Sequence, residues 1–195
     1  MKMRKFHPAR NTGSKLRCQR GSMLIEVLIA MVVLAIGLGG LVPLLVASMH
    51  SNNRSGTDTT STMLAEHVLE QITAQPADSV TTLDVIDCAG TDWTIATVGA
   101  TVNGGSGGGN GGNGANLTSS GYVDWTQDYG SVPSNYKMKY VSCGDGGRQN
   151  TYEVRWDVIT MSSYTRMVVI SARPVGAQSG MRYVIPVNLR TIGGE

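Results

Sequence analysis

Glu26 is the residue whose type and position most plainly call for chemistry. It is the only charge between Met23 and Ala47, and a carboxylate inside a membrane-spanning segment costs about 2.5–3.5 kcal/mol even on the lenient insertion scale. Nothing in that stretch supplies a cation, so compensation has to come from another molecule, a cavity, or an amine made by processing. Cleavage after Gly21 would create such an amine on Ser22, four residues before Glu26. The competing reading is that Glu26 stays hydrated in the interfacial zone, and position alone leaves both open.

The other reactive side chains do not assemble a catalytic set. His7 lies in the N-terminal arm, His50 just after the apolar run and His67 on a candidate helix, so a Ser or Cys nucleophile further along has no His base. Asp84 with Asp87, and Asp124 with Asp128, are spaced to pair as carboxylates, but such acids read first as solvated or turn-capping. G-x-G-x-x-G starts at Gly107 and again at Gly109, yet the following Ala115–Gly121 stretch does not read as the helix a dinucleotide site needs. Lys137 and Lys139 near Tyr136 and Tyr140 form a basic–aromatic cluster that reads as a strand face, with contact to DNA or a surface as the weaker alternative. Cysteine and histidine spacing fits no zinc site. The expectation is a non-enzymatic chain without cofactor or metal.

These residues sit in three zones of charge. Residues 1–20 carry seven basic side chains and no acid, which leaves nine Lys or Arg against all 14 Asp or Glu, a formal −5, in the rest. Met23 to Ala47 is 25 residues long, and as a helix it measures roughly 37 Å, enough to span a bilayer. The basic arm before it predicts a cytoplasmic N-terminus, with the remainder across the membrane. A signal peptide is the alternative, but the run exceeds the usual apolar core of such signals and no A-x-A closes it. Gly37, Gly39, Gly40 and Pro43 are helix-disrupting residues within the run. They read either as an ordinary kink or as a segment that unwinds on leaving lipid. Further on, Leu64, Ala65, Val68, Leu69 and Ile72 recur at helical spacing, with Glu66 and Glu70 on another face. That helix is expected to end at Gln75, before Pro76.

Arg20-Gly21-Ser22-Met23-Leu24-Ile25-Glu26-Val27-Leu28-Ile29-Ala30, continued by Met31 to Gly37, resembles the processing and methylation segment of the type IV prepilin family. The ending VLAIGLGGLVPLL resembles V-type minor pilins, the pilus modification proteins, more than major pilins. The resemblance implies a cytoplasmic leader cut by an inner-membrane prepilin peptidase between Gly21 and Ser22, with N-methylation of Ser22. Glu26 then falls where the family's glutamate neutralises the terminal amine of a neighbouring subunit during assembly. Pro43 falls where many pilins have a helix-disrupting proline. Ser22 departs from the usual Phe or Met at its position, and the leader is longer than many. Implied partners are other pilin subunits, the peptidase and the inner-membrane pilus assembly platform.

The expected organisation is therefore a leader at 1–21, a transmembrane or filament-core helix at 22–50, an amphipathic half at 51–75, and a periplasmic or extracellular β-rich head at 76–195. The expected fold class is α+β, type IV pilin-like, with the long helix packed against an antiparallel sheet. Strand candidates are 91–98, 121–126, 138–143, 152–160, 167–172 and 183–189, and Pro186 marks the last as an edge. Residues 103–116, with eight glycines between Gly104 and Gly114, read as a flexible loop. Cys18 leaves with the leader, so Cys88 and Cys143 remain beyond the membrane, either as a disulfide or as two separate buried thiols. The expected function is a minor pilin. Rival readings are a type II secretion pseudopilin, a secreted binding protein and a membrane-anchored adhesin.

Overall fold

The computed structural model describes residues 22–144, 147–176 and 184–194. It divides into two compact units, one ending at Ser51 and the other beginning at Asn52. One helix, α1 (Ser22–Thr73), contributes to both.

In the first unit α1 is exposed along its whole length, including Leu24, Leu28, Leu34 and Leu44. Its most apolar 18-residue window has a mean hydropathy of 2.6 with none of it buried, so α1 is long and apolar enough to cross a membrane. The helix continues through Gly37, Gly39, Gly40 and Pro43. Proline there removes the N–H that would bond to the Gly39 carbonyl, while nothing lies within 4 Å of a Cβ placed on any of the three glycines.

In the second unit α1 passes unbroken through the polar stretch around Gly56, where hydroxyls spend their hydrogens on the helix's own carbonyls. Thr57 and Thr59 donate to Arg54 O and Ser55 O at 2.8 Å, and Ser61 to Thr57 O at 3.0 Å. Thr57, Ser61, Leu64, Ala65, Val68 and Ile72 form one buried stripe, with Glu66, His67 and Glu70 exposed. The helix ends at Thr73, two residues short of the expected Gln75. Its end is held by Arg166, a buried guanidinium that donates to Ile72 O, to Gln75 O at 2.6 Å and to Thr97 O at 3.2 Å. A cation is well placed at the negative end of the helix dipole.

Against the stripe lies an antiparallel sheet of β3 (Asn113–Gly114), β4 (Lys137–Cys143), β5 (Gln149–Ser162), β6 (Thr165–Val175) and β7 (Val187–Gly194). β5 and β6 are central, β7 lies beyond β6, and β3 and β4 share the other side of β5. Val154, Trp156, Val158, Val168 and Ile170 face the helix stripe in one core cluster. This is the α+β architecture expected, a long helix packed on antiparallel β-structure.

A separate hairpin, β1 (Thr82–Ile86) with β2 (Asp92–Ala96), is joined to β4 by a disulfide between Cys88 and Cys143, with Cα atoms 5.9 Å apart. Beside it, buried Asp87 accepts from Ala89 N, Thr91 N, Trp93 Nε1 and Val141 N at 2.8–3.3 Å. Asp84 instead accepts from Thr94 Oγ1 at 3.1 Å, so these two acids stabilise a turn and a cross-strand pair.

Two expectations need correction. Residues 121–126 form no strand: Val123 makes an isolated bridge to Leu117, and Asp124 turns the chain by accepting from Thr126 N at 2.8 Å. The last strand starts after Pro186 and runs to Gly194 rather than ending at 189, while Tyr183, where it was expected to begin, lies outside the described residues. Within residues 103–116, Gly107, Gly111, Gly112, Gly114 and Ala115 are buried against the sheet, whereas residues 103–106, Gly109 and Asn110 are exposed. A Cβ on Gly112 would stand 2.6 Å from Ala100 O and 2.9 Å from Ile159 Cα, so this backbone approaches β5 more closely than any side chain allows.

Candidate functional site

Two regions hold charges in settings that demand a partner: the first turns of α1 and the outer face of the sheet. In the first, Glu26 is exposed among apolar Met23, Leu24, Val27, Leu28 and Met31. Among the described residues it makes no hydrogen bond or ion pair. Gly21 lies outside the described residues, and Ser22 is described only as the first helical residue. The chain thus presents, on an exposed apolar helix face, a carboxylate without a partner among the described residues.

The outer face of the sheet is set by strand alternation. Glu153, Arg155 and Asp157 point away from the helix, yet all three are buried, because Gly112, Trp125 and Gln127 pack over that side. Glu153 takes Arg155 Nε at 2.6 Å through one oxygen and Arg173 Nη2 at 3.1 Å through the other. Arg155 also donates to Gln127 O at 2.7 Å, and its guanidinium lies 4.7 Å from the Trp125 ring, which Arg173 approaches at 4.1 Å. Trp125 Nε1 donates to Ser171 Oγ at 2.9 Å, which fixes the ring on the sheet.

Lys137 and Lys139 do not act with Tyr136 and Tyr140. Both stand over the Tyr129 ring, at 4.5 and 4.4 Å, and Lys137 Nζ donates to Tyr129 O at 2.6 Å. Tyr136 is buried, with its hydroxyl donating to Val98 O at 2.6 Å, and burial with the nearby Asp157 pushes its phenol up to about 12. Asp128 caps a short 3-10 turn by accepting from Gly130 N, and hydrogen bonds from Thr126 hold Asp124 below the usual carboxylate range. The two lysines thus gather on Tyr129, while Arg155 and Arg173 pair with Glu153 and stack on Trp125.

Asp157 stands apart within this face. Its Oδ1 accepts from Gly112 N at 2.8 Å, its Oδ2 has no hydrogen-bond partner, and burial raises its pKa to about 7. Among the described residues no group of three or more His, Cys, Asp or Glu is placed to hold a metal ion. His50 and His67 are exposed and lie on α1.

Sequence periodicity finds one apolar and one charged face on β5 but does not show the layer that buries the charged one. The signal for a second covering layer was the glycine density of 104–114, which permits close backbone packing as readily as it permits disorder.

Residues 16–42 match the family model of the prokaryotic N-terminal methylation motif. No curated protein and no solved structure matches the chain. The matched segment contains Gly21, Ser22 and Glu26 and includes the start of α1, so the N-terminal part of the chain is similar to a type IV prepilin, and the fold it opens is α+β. The motif marks a family of structural subunits and fits a membrane-anchored precursor.

Proposed function

We propose that this chain is a minor pilin, an accessory subunit that enters a type IV pilus through α1. Prepilin peptidase removes residues 1–21 by cutting between Gly21 and Ser22, and N-methylates Ser22. Before assembly the chain rests in the inner membrane with its N-terminus in the cytoplasm, and afterwards its head lies on the pilus. The observation that carries this reading is Glu26, an unpaired carboxylate on an exposed apolar helix inside a matched methylation motif. In a filament its partner is the terminal amine of the adjacent subunit, an ion pair formed where water is scarce and charge attraction strong. Gly37, Gly39, Gly40 and Pro43 give the helix a segment able to unwind as it passes from lipid to a packed filament core.

N-terminal sequencing and intact mass of the chain from cells test the processing step. A terminus at Ser22, lost when Gly21 is replaced, is expected, and a terminus near Ser48 refutes the reading. Glu26→Val is expected to leave cleavage intact and to reduce incorporation into sheared filaments at least tenfold. Undiminished incorporation refutes the pairing role.

A further inference from the structure

Asp157 is fully buried, and no part of the filament reading uses it. It lies on β5 between Gly114 of β3 and Val169 of β6, under the glycine layer. Gly112 N bonds to one carboxylate oxygen, and the other is left without a donor. The layer presses onto that second oxygen: a Cβ on Gly111 would come 2.8 Å from Oδ2, and one on Gly107 closer still. Closure is therefore possible only because these positions have no side chain.

Among the described residues no cation answers Asp157. Residues 97–121, which supply the covering layer, contain no ionisable side chain. Arg155, two residues away on the same face, is committed to Glu153 and Gln127 O. Arg190 of β7 shares the row through Val169 but is exposed. Tyr136 spends its hydroxyl hydrogen on Val98 O. A carboxyl so enclosed favours its neutral form.

We propose that Asp157 is a proton-operated latch on the glycine layer: with its proton the layer lies closed on β5, and without it residues 103–116 shift toward an open state in which Oδ2 reaches water. The folded carboxyl titrates at about 7, and in the open state it returns to an ordinary value near 3.9. Between those values the opening constant rises roughly tenfold per pH unit, and above the higher one it levels off. A neutral external medium lies at the top of that window, where small acidification closes the layer.

The test is hydrogen exchange followed by mass spectrometry on the full chain in detergent micelles with its disulfide intact. Rates are corrected for intrinsic exchange, and β6 peptides serve as the internal reference. Opening of peptides from 103–116 is expected to rise about 50- to 100-fold between pH 5 and pH 8 in the wild type, and to stay within about threefold in Asp157→Asn. A flat wild-type profile overturns the proposal, as does an equal rise in the variant. Should Asp157→Asn fail to fold, the wild-type carboxyl is titrated by its ¹³C shift. A midpoint above about 6 supports the latch, and a midpoint at or below that overturns it.

Discussion

Asp87 sits where the β1–β2 hairpin turns, and four donors converge on its two oxygens. Burial raises its pKa, but the hydrogen bonds from Thr91, Trp93, Val141 and Ala89 together outweigh burial and leave it below its ordinary value. A lowered folded pKa means that the stabilisation is complete above the unfolded value near 3.9 and is lost as pH falls through the folded one. Asp87→Asn is therefore expected to destabilise the head by about 1–2 kcal/mol at pH 7, the difference between charged and neutral hydrogen bonds. That gap should hold from pH 5 to 8 and close below pH ~4, as read from urea unfolding at each pH. A gap unchanged in strong acid would contradict this account. Asp157 has the opposite sign, so the two acids shape the pH profile from opposite ends.

Among the elements, the glycines divide into those that must lack a side chain and those that merely do. Gly112 lies against the backbone of Ala100 and Ile159, whereas Gly56 on α1 has nothing within 4 Å of a Cβ. Gly112→Ala is expected to lower stability by about 2–3 kcal/mol through overpacking. Gly56→Ala should raise it by about 0.5–1 kcal/mol by favouring the helix. Thermal midpoints of the two variants check both signs. The same contrast explains what the sequence disclosed. The stripe from Leu64 to Ile72 and the alternation of Tyr152 to Val158 were legible because periodicity reports one buried face directly. The covering layer was not, since its hydrogen bonds are long-range, such as Gly112 N to Asp157 Oδ1 across 45 residues. β1, with Asp84 inside it, has three exposed residues of five, and its Leu83–Asp84–Val85 alternation is too short to announce a strand. At the other end, the methylation motif that spans Gly21, Ser22 and Glu26 was legible because it lies in local spacing, which needs no tertiary information.

On the scale of the whole molecule, the precursor's formal charge of +2 combines a basic first 20 residues with a remainder at −5. The head adds one covalent cross-link to its core. Removing the bridge with Cys88→Ala and Cys143→Ala together is expected to cost about 4 kcal/mol on the chain-entropy account. The checking measurement is the unfolding midpoint of the double variant against the oxidised wild type, and an unchanged midpoint would contradict it. The bridge also has a mechanical meaning. It closes a loop with a sequence separation of 55, holding β2, the glycine layer and the Trp125–Tyr129 face between its ends. A pull between the helix and β7 bypasses that loop, because tension crosses at the sulfurs. Roughly 190 Å of contour length is thereby kept out of any extension the chain can undergo, so a reduced head would stretch much further under load than an oxidised one.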